Sequence, residues 1–427
     1  MTEMRTCPKC GETLQSDLLW GLCPKCLLTA GDSGDSDQPG PDDRGFVESQ
    51  APRPVLNLEM FRRAILDLGL LDPEEWSMFA AFGDLQNVSR LSRVLVRAGK
   101  LTNYQVAAIC QGKAKGLVIG DYIVLDKLGQ GGMGVVFKAR KRSAGREVAL
   151  KMLPPSFSRD REAVRRFRRE FQITSRIDHP NIVSVLDADE DRGVQFLTMT
   201  YIDGYDLHRL VGDQGPLPVE LGLDCMIQGA RGLAAAHASG IVHRDVKPGN
   251  LMLDNSGTVR VLDLGLARVI ESAAGQSMDG SLTQAGTYLG TVDFLAPEQA
   301  DDSKRADHRA DIYSLGCTLY YLLTGKPPFS GDSVLKRLMA HQSQPAPSLR
   351  SARPEVSPLL DSACREMMAK NPADRPASML EVIDHLEACR NASCDEDTTR
   401  SNLKGFAETV LKRAAPSVRS DRTQLEA

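Results

Sequence analysis

Leu128-Gly-Gln-Gly-Gly-Met-Gly-Val-Val136, followed by Val148-Ala-Leu-Lys151, is the most informative run in the chain. Gly129, Gly131 and Gly134 let a strand–turn–strand cover bring backbone N–H groups against phosphates without Cβ clashes. Leu128, Gln130, Gly132 and Met133 complete that loop. Lys151 adds a fixed positive charge for the phosphates, provided its long stem is held. Glu170, nineteen residues on in a basic helix from Asp160 to Gln172, is the natural anchor. The arginines of that helix, Arg165, Arg166, Arg168 and Arg169, read as a solvated face rather than a nucleic-acid site. Glycine patterns of this kind recur in unrelated turns, so the weight falls on what lies downstream.

Downstream come His243-Arg-Asp-Val-Lys-Pro-Gly-Asn250, Asp263-Leu-Gly265 and Ala296-Pro-Glu298. Transfer of a phosphoryl group needs positioning and charge compensation more than covalent help. Asp245 is a carboxylate able to orient an attacking hydroxyl and accept its proton. Lys247 can neutralise charge developing on the transferred group. Asn250 and Asp263 are hard oxygen donors suited to Mg²⁺, which bridges phosphates. A surface turn explains any one of these residues, but not the whole set in this order and at these intervals.

Working outward, residues 122–138 and 147–152 are apolar, β-branched and punctuated by turns, as strands are. The chain from there to about Arg390 reads as mostly helical. Before the strands, residues 55–116 show helical periods: Phe61, Ile65 and Leu68, then Leu91, Leu95 and Ala98. Asp72-Pro73-Glu74-Glu75 is a helix start, and Thr102 to Gln105 has capping-box spacing, with Leu101 and Val106 as its hydrophobic staple. These features predict a small helical segment with no catalytic constellation, hence an interaction or regulatory module with a protein partner. Residues 30–54 form an acidic Gly/Asp/Ser/Pro linker, and residues 391–427 a polar tail with one amphipathic helix over 402–414.

The 427 residues suggest two or three units, and 42% apolar with 25% charged content fits a globular protein with a sizeable core. A net charge of −4 gives no bulk attraction for nucleic acid or membrane. No apolar run suggests a membrane span or signal peptide, so a cytoplasmic location is expected, with few or no disulfides. Four of the ten cysteines are arranged for a metal. Cys7-Pro-Lys-Cys10 and Cys23-Pro-Lys-Cys26, twelve residues apart, supply four thiolates for a closed tetrahedral Zn²⁺ site. Iron is the alternative occupant. The metal would supply most of the folding energy of residues 1–29. Cys110, Cys225, Cys317, Cys364, Cys389 and Cys394 read as scattered core or surface residues.

These motifs together resemble the Hanks-type serine/threonine protein kinases over roughly residues 122–386. The resemblance implies an α+β, two-lobed kinase fold over 119–390, with a small β-rich lobe and a large helical lobe. It implies ATP and Mg²⁺ as cofactors and protein substrates. Lys151, Glu170, Asp245, Asn250 and Asp263 take the family's roles, and the Lys247 form of the loop points to serine or threonine acceptors. It further implies a hinge at Thr200 to Ile202 with Met199 as gatekeeper, and Val136, Ala149 and Met252 around the adenine. Thr291 packs beside Asp245, Glu298 pairs with Arg375, and Asp311 braces the catalytic loop. Arg244 receives a phosphorylated activation loop, whose expected autophosphorylation sites are Thr283 or Thr287. Leu264 and Thr200 depart from commoner family residues, with no loss of activity expected. The head-to-tail layout also resembles bacterial kinases that carry a Cys-Pro-x-Cys zinc ribbon and a Leu-Thr-x-Tyr-Gln element, here Leu101-Thr-Asn-Tyr-Gln105.

Two other classes compete. The intact catalytic set argues against a zinc-ribbon scaffold or nucleic-acid protein, and neither knuckle is flanked by interleaved aromatics or a strong basic stripe, since Trp20 and Lys25 alone are not a binding platform. Phosphorylation of a small molecule fits less well than a protein acceptor, a preference that rests on the resemblance.

Overall fold

Alternation of apolar residues along 122–152 and 194–200 produces strands, and helical periodicity on both sides produces caps and helices at the expected places. The computed structural model describes residues 5–6, 13–14, 57–81, 88–131, 134–154, 157–264, 292–302, 306–392, 403–407 and 409. The expectations placed on Cys7, Cys10, Cys23, Cys26, Gly132, Met133, Thr283, Thr287, Thr291 and the 30–54 linker lie outside the described residues. The chain divides into two compact units, one of residues 1–159 with 188–201 and one of 160–187 with 202–427.

In the first unit, β1 (Arg5–Thr6) pairs antiparallel with β2 (Thr13–Leu14). Helices α1 (Leu58–Asp67), α2 (Pro73–Ala81), α3 (Val88–Arg97) and α4 (Asn103–Cys110) follow. Their caps are local and chemical. Asn57 Oδ1 accepts from Met60 N at 2.8 Å, and Asp72 Oδ1 accepts from Glu75 N at 2.7 Å. Thr102 and Gln105 form the reciprocal capping box at α4.

A six-stranded sheet completes the unit, in the order β3-β4-β5-β6-β8-β7. Its strands are β3 (Val118–Ile119), β4 (Tyr122–Gly131), β5 (Gly134–Lys141), β6 (Glu147–Met152), β7 (Val185–Asp191) and β8 (Val194–Thr200). Phe61, Ile65, Leu71, Trp76, Leu91, Leu95, Leu101, Ile109 and Leu117 are buried in the same core as Tyr122, Phe137, Val148, Leu150 and Phe196. The helical segment is therefore part of the small unit's only core among the described residues, and the sheet is apolar on that account.

The second unit is helical. After α5 (Arg161–Thr174) come β9 (Gly204–Asp206), α6 (Leu207–Gln214), α7 (Val219–Ala238), β10 (Leu251–Asp254) and β11 (Val259–Val261). Then follow α8 (Pro297–Asp302), α9 (His308–Thr324), α10 (Val334–Ser343), α11 (Leu349–Ala352), α12 (Pro358–Met367) and α13 (Met379–Asn391). Helices α7 and α9 are apolar nearly all round and form the centre, with α12 and α13 packed on them. Residues 403–407 of the expected tail helix are helical, and Leu403 and Ala407 are buried in this core. The turn between β10 and β11 accommodates them at Gly257 (φ +81°), where a Cβ would lie 3.1 Å from Lys404 N.

Candidate active site

The β4–β5 hairpin carries the glycine run. Gly131 faces Gly134 at its tip and Gly129 faces Val136. Gly134, at φ +120°, tolerates no side chain, since a Cβ would sit 1.9 Å from the Met152 carbonyl oxygen. Leu128 beside the loop is 46% exposed. Cross-strand partners project to one face of a sheet. Val136 lies opposite Lys151, and Lys151 opposite Leu197; Ala149 lies opposite Met199. Val136, Ala149, Lys151 and Met199 thus share a face, and the Lys151 side chain is buried. Val148 lies opposite Thr200 at the end of β8.

The second unit holds the carboxylates. Between α7 and β10 the backbone makes a tight irregular turn, with Arg244 at φ +66°, a conformation L-residues rarely adopt. One buried side chain holds that turn. Asp311, on α9 and wholly inaccessible, accepts from His243 N (Oδ2) and Arg244 N (Oδ1), both at 2.8 Å. Its Oδ2 also lies 2.8 Å from His237 Nε2. Gln299 Nε2 donates to the Arg244 carbonyl at 2.9 Å, and His243 Nδ1 accepts from Asp245 N at 3.2 Å.

This bracing presents the Asp245 carboxylate, 7% exposed, to two neighbours. Lys247 Nζ donates to its Oδ1 at 3.0 Å and its Oδ2 at 2.8 Å. Asn250 Nδ2 donates to Oδ2 at 3.0 Å and to the Asp245 carbonyl at 2.7 Å. Asn250 O in turn accepts from Leu262 N, which sets β10 beside the segment ending at Asp263. Asp263 also has a positive φ, +55°, and Leu264 is buried in the core. Because the Asn250 nitrogen is committed to Asp245, its amide oxygen points elsewhere, the donor chemistry a hard cation takes. Among the described residues no group of three or more His, Cys, Asp or Glu side chains is arranged to hold a metal ion.

Farther out, Arg375 is fully buried and forks onto Glu298 at 2.6 and 2.8 Å. Glu170 lies on α5 behind the Asp160 cap, and Met252 lies on β10 opposite Arg260 and Asp206. The structure thus brings Asp245, Lys247, Asn250, Arg244 and Asp311 into one hydrogen-bonded cluster, and Glu298 with Arg375 into a second. Sequence reasoning missed His237 and Gln299, which are joined to the cluster only through residues 74 and 55 positions away in the chain. No spacing rule reaches that far.

Comparison with known proteins identifies the family. The protein kinase domain family model matches residues 122–386. The serine/threonine-protein kinase PrkC of Bacillus subtilis is 34% identical over 307 residues, covering 71% of this chain and 45% of that protein. Kinase pkn3 of Myxococcus xanthus is 39% identical over 311 residues, covering 70% and 56%. PknD of Mycobacterium tuberculosis is 40% identical over 301 residues, covering 70% and 42%. The chain spans about half the length of these curated relatives. Among solved structures, the kinase domain of M. tuberculosis PknI superposes with a TM-score of 0.51 at 28% identity, covering 65% of this chain and 98% of that one.

Proposed function

Since this chain belongs to the protein kinase family, we propose that it transfers the γ-phosphoryl group of ATP to serine and threonine hydroxyls of proteins. The observation that carries the proposal is the braced carboxylate: Asp245 held between Lys247 and Asn250, on a turn that Asp311 fixes. In this reading Asp245 orients the acceptor hydroxyl and takes its proton as the oxygen bonds to the γ-phosphorus. The bond from that phosphorus to the ADP oxygen breaks, and Lys247 offsets the charge that develops.

The remaining assignments follow the same reading. The loop from Leu128 to Gly134 covers the phosphates. A Cβ at Gly129 or Gly131 would meet no described atom of this chain within 4 Å, so a bound phosphate is a reason for glycine there that the protein itself does not supply. Val136, Ala149, Thr200, Ile202 and Met252 surround the base. Lys151, anchored by Glu170, takes the α- and β-phosphates. Asn250 and Asp263 would hold Mg²⁺, which neutralises phosphate charge when bound. Phosphate on Thr283 or Thr287 would engage Arg244.

Residues 1–29 are proposed as a Zn²⁺ ribbon on Cys7, Cys10, Cys23 and Cys26. The β1–β2 pairing returns the chain across the sequence of the first knuckle, which supports that reading. No helix among the described residues is long and apolar enough to cross a membrane. ATP as donor and, among the described residues, the free thiols of Cys110, Cys225, Cys317 and Cys364 favour a cytosolic reaction.

Phosphoamino-acid analysis after incubation with Mg²⁺, labelled ATP and a generic acceptor protein tests the specificity. Label on serine or threonine is expected, and label confined to tyrosine or to a small molecule would overturn it. Metal analysis of the purified chain, expected at about one zinc per chain, tests the ribbon.

A further inference from the structure

The Leu101-Thr-Asn-Tyr-Gln105 element is left unused by the chemistry, yet it makes the most specific contacts of the helical segment. In the capping box, Thr102 Oγ1 accepts from Gln105 N at 3.1 Å and Gln105 Oε1 accepts from Thr102 N at 2.9 Å. What remains on both side chains is a donor. Thr102 Oγ1 donates to the Leu125 carbonyl, and Gln105 Nε2 donates to the Val124 carbonyl at 2.8 Å. Gln105 is 3% exposed, so neither partner is exchanged for water without cost.

The position of those two carbonyls gives the contacts meaning. Strand β3 pairs with β4 only at Tyr122 and Ile123, so beyond Ile123 the outer edge of β4 has no strand beside it among the described residues. On the inner edge the register jumps from Val124–Ala139 to Asp126–Lys138, which makes Leu125 the extra residue of a bulge. A second jump, between Lys127 and Gly129, brackets Leu128 at the entry to the glycine loop. Thr102 therefore satisfies the carbonyl of the bulge that redirects β4 just before the loop. Tyr104 lies against the same turn of the strand, its ring centroid 6.1 Å from that of Phe137, the partner of Lys127.

We propose that the helical segment is a clasp that sets the aim of the nucleotide loop, with Thr102 and Gln105 as positioning residues for ATP. The idea rests on the ATP reading above. It gives the segment a role that its lack of catalytic groups left open: whatever displaces α4 changes nucleotide affinity through two side chains.

The test uses the full chain and four variants: Thr102→Val, Gln105→Leu, Thr102→Ser and Asn57→Ala. Hydrogen exchange of peptides covering 124–131 is read beside KM for ATP and kcat. Each of Thr102→Val and Gln105→Leu is expected to speed exchange and raise KM for ATP about fivefold, the worth of one hydrogen bond. Thr102→Ser, which keeps the hydroxyl, is expected to match the wild type. Asn57→Ala removes the α1 cap without touching β4, and is expected to lower Tm while leaving exchange at 124–131 unchanged.

Unchanged exchange in Thr102→Val and Gln105→Leu, or faster exchange without a shift in KM, overturns the clasp. So does an equal effect from Asn57→Ala, which would mean general loosening. Unchanged exchange in an active enzyme sinks the clasp alone. Faster exchange and weaker ATP-analogue binding in a chain that transfers no phosphate keeps the clasp and sinks the kinase activity.

Discussion

Replacing Asp311 separates the bracing of the catalytic turn from the chemistry it serves. With alanine, two buried N–H groups, those of His243 and Arg244, lose the carboxylate they share. Each unsatisfied donor costs about 2 kcal/mol. Arg244 then loses the bond to its own N–H that helps to hold its positive φ, adding about 1 kcal/mol. The sum, about 5 kcal/mol, approaches the whole stability of many domains, and little folded protein is expected. Asparagine is the informative substitution. Its oxygen can keep Arg244 N and its amide can meet His237 Nε2 after a change of tautomer, but His243 N–H is left unpaired. The expected cost is about 2 kcal/mol in urea unfolding, with m unchanged. Asp245 follows His243 and Arg244 directly, and a displacement near 1 Å costs about a hundredfold in rate. A fall in kcat of ten- to a hundredfold is therefore expected, with KM for ATP within about twofold of wild type. An Asp311→Asn protein with full kcat and stability within about 0.5 kcal/mol of wild type would refute the reasoning.

His341 Nδ1 lies 2.9 Å from Tyr313 Oη, and burial, followed by the nearby Lys370 and Arg337, holds the His341 pKa down at about 4. The unfolded chain binds the proton near pH 6.5, so stability present above that pH falls as pH drops towards 4, by about 2–3 kcal/mol. His341→Asn should flatten that part of the curve, and an unaltered pH dependence of urea unfolding would contradict it. Arg375→Met strands Glu298, 19% exposed, and frees the carbonyls of Ala369, Arg309 and Lys370. A loss of about 3–5 kcal/mol is expected, and a loss below about 1 kcal/mol would show that the fork adds nothing. Deleting residues 1–116 removes eight of the nineteen buried members of the small unit's core, whereas deleting 1–56 removes none. The first should aggregate and the second should melt with the full chain; equal melting of both would contradict the shared core.

The hydrogen-bonded turn was legible because it is local. Asp245, Lys247 and Asn250 lie within six residues of one another, and the chain needs only one tight turn to bring them together. Caps at Asp72 and Thr102 were legible for the same reason, since a side chain there bonds its own next turn. What escaped depends on contacts across the chain. Leu101 is also buried in the core shared with the sheet, a contact that its place before the capping box does not announce. The tail reads as polar with one amphipathic helix over 402–414, but its sequence does not say what that helix packs on: Leu403 and Ala407 are buried in the large unit's core, where the φ of Gly257 makes room. The bulge at Leu125 has no signature in β4 itself, because its stabilising partner sits 23 residues upstream. His237 and Gln299 gave no signal, as a histidine and a glutamine in helices are common and their meaning comes from Asp311 and Arg244.

The central claim is that Asp245, braced as described, accepts the proton in phosphoryl transfer from ATP to protein. The direct measurement is the rate of γ-phosphoryl transfer by wild type and by Asp245→Asn, each saturated with ATP and Mg²⁺ and each shown to be folded. A wild type that labels protein on serine or threonine, with Asp245→Asn slower by at least about a hundredfold at equal nucleotide occupancy, is the predicted result. Equal rates in the two proteins, or no transfer by a folded, ATP-bound wild type, would contradict it.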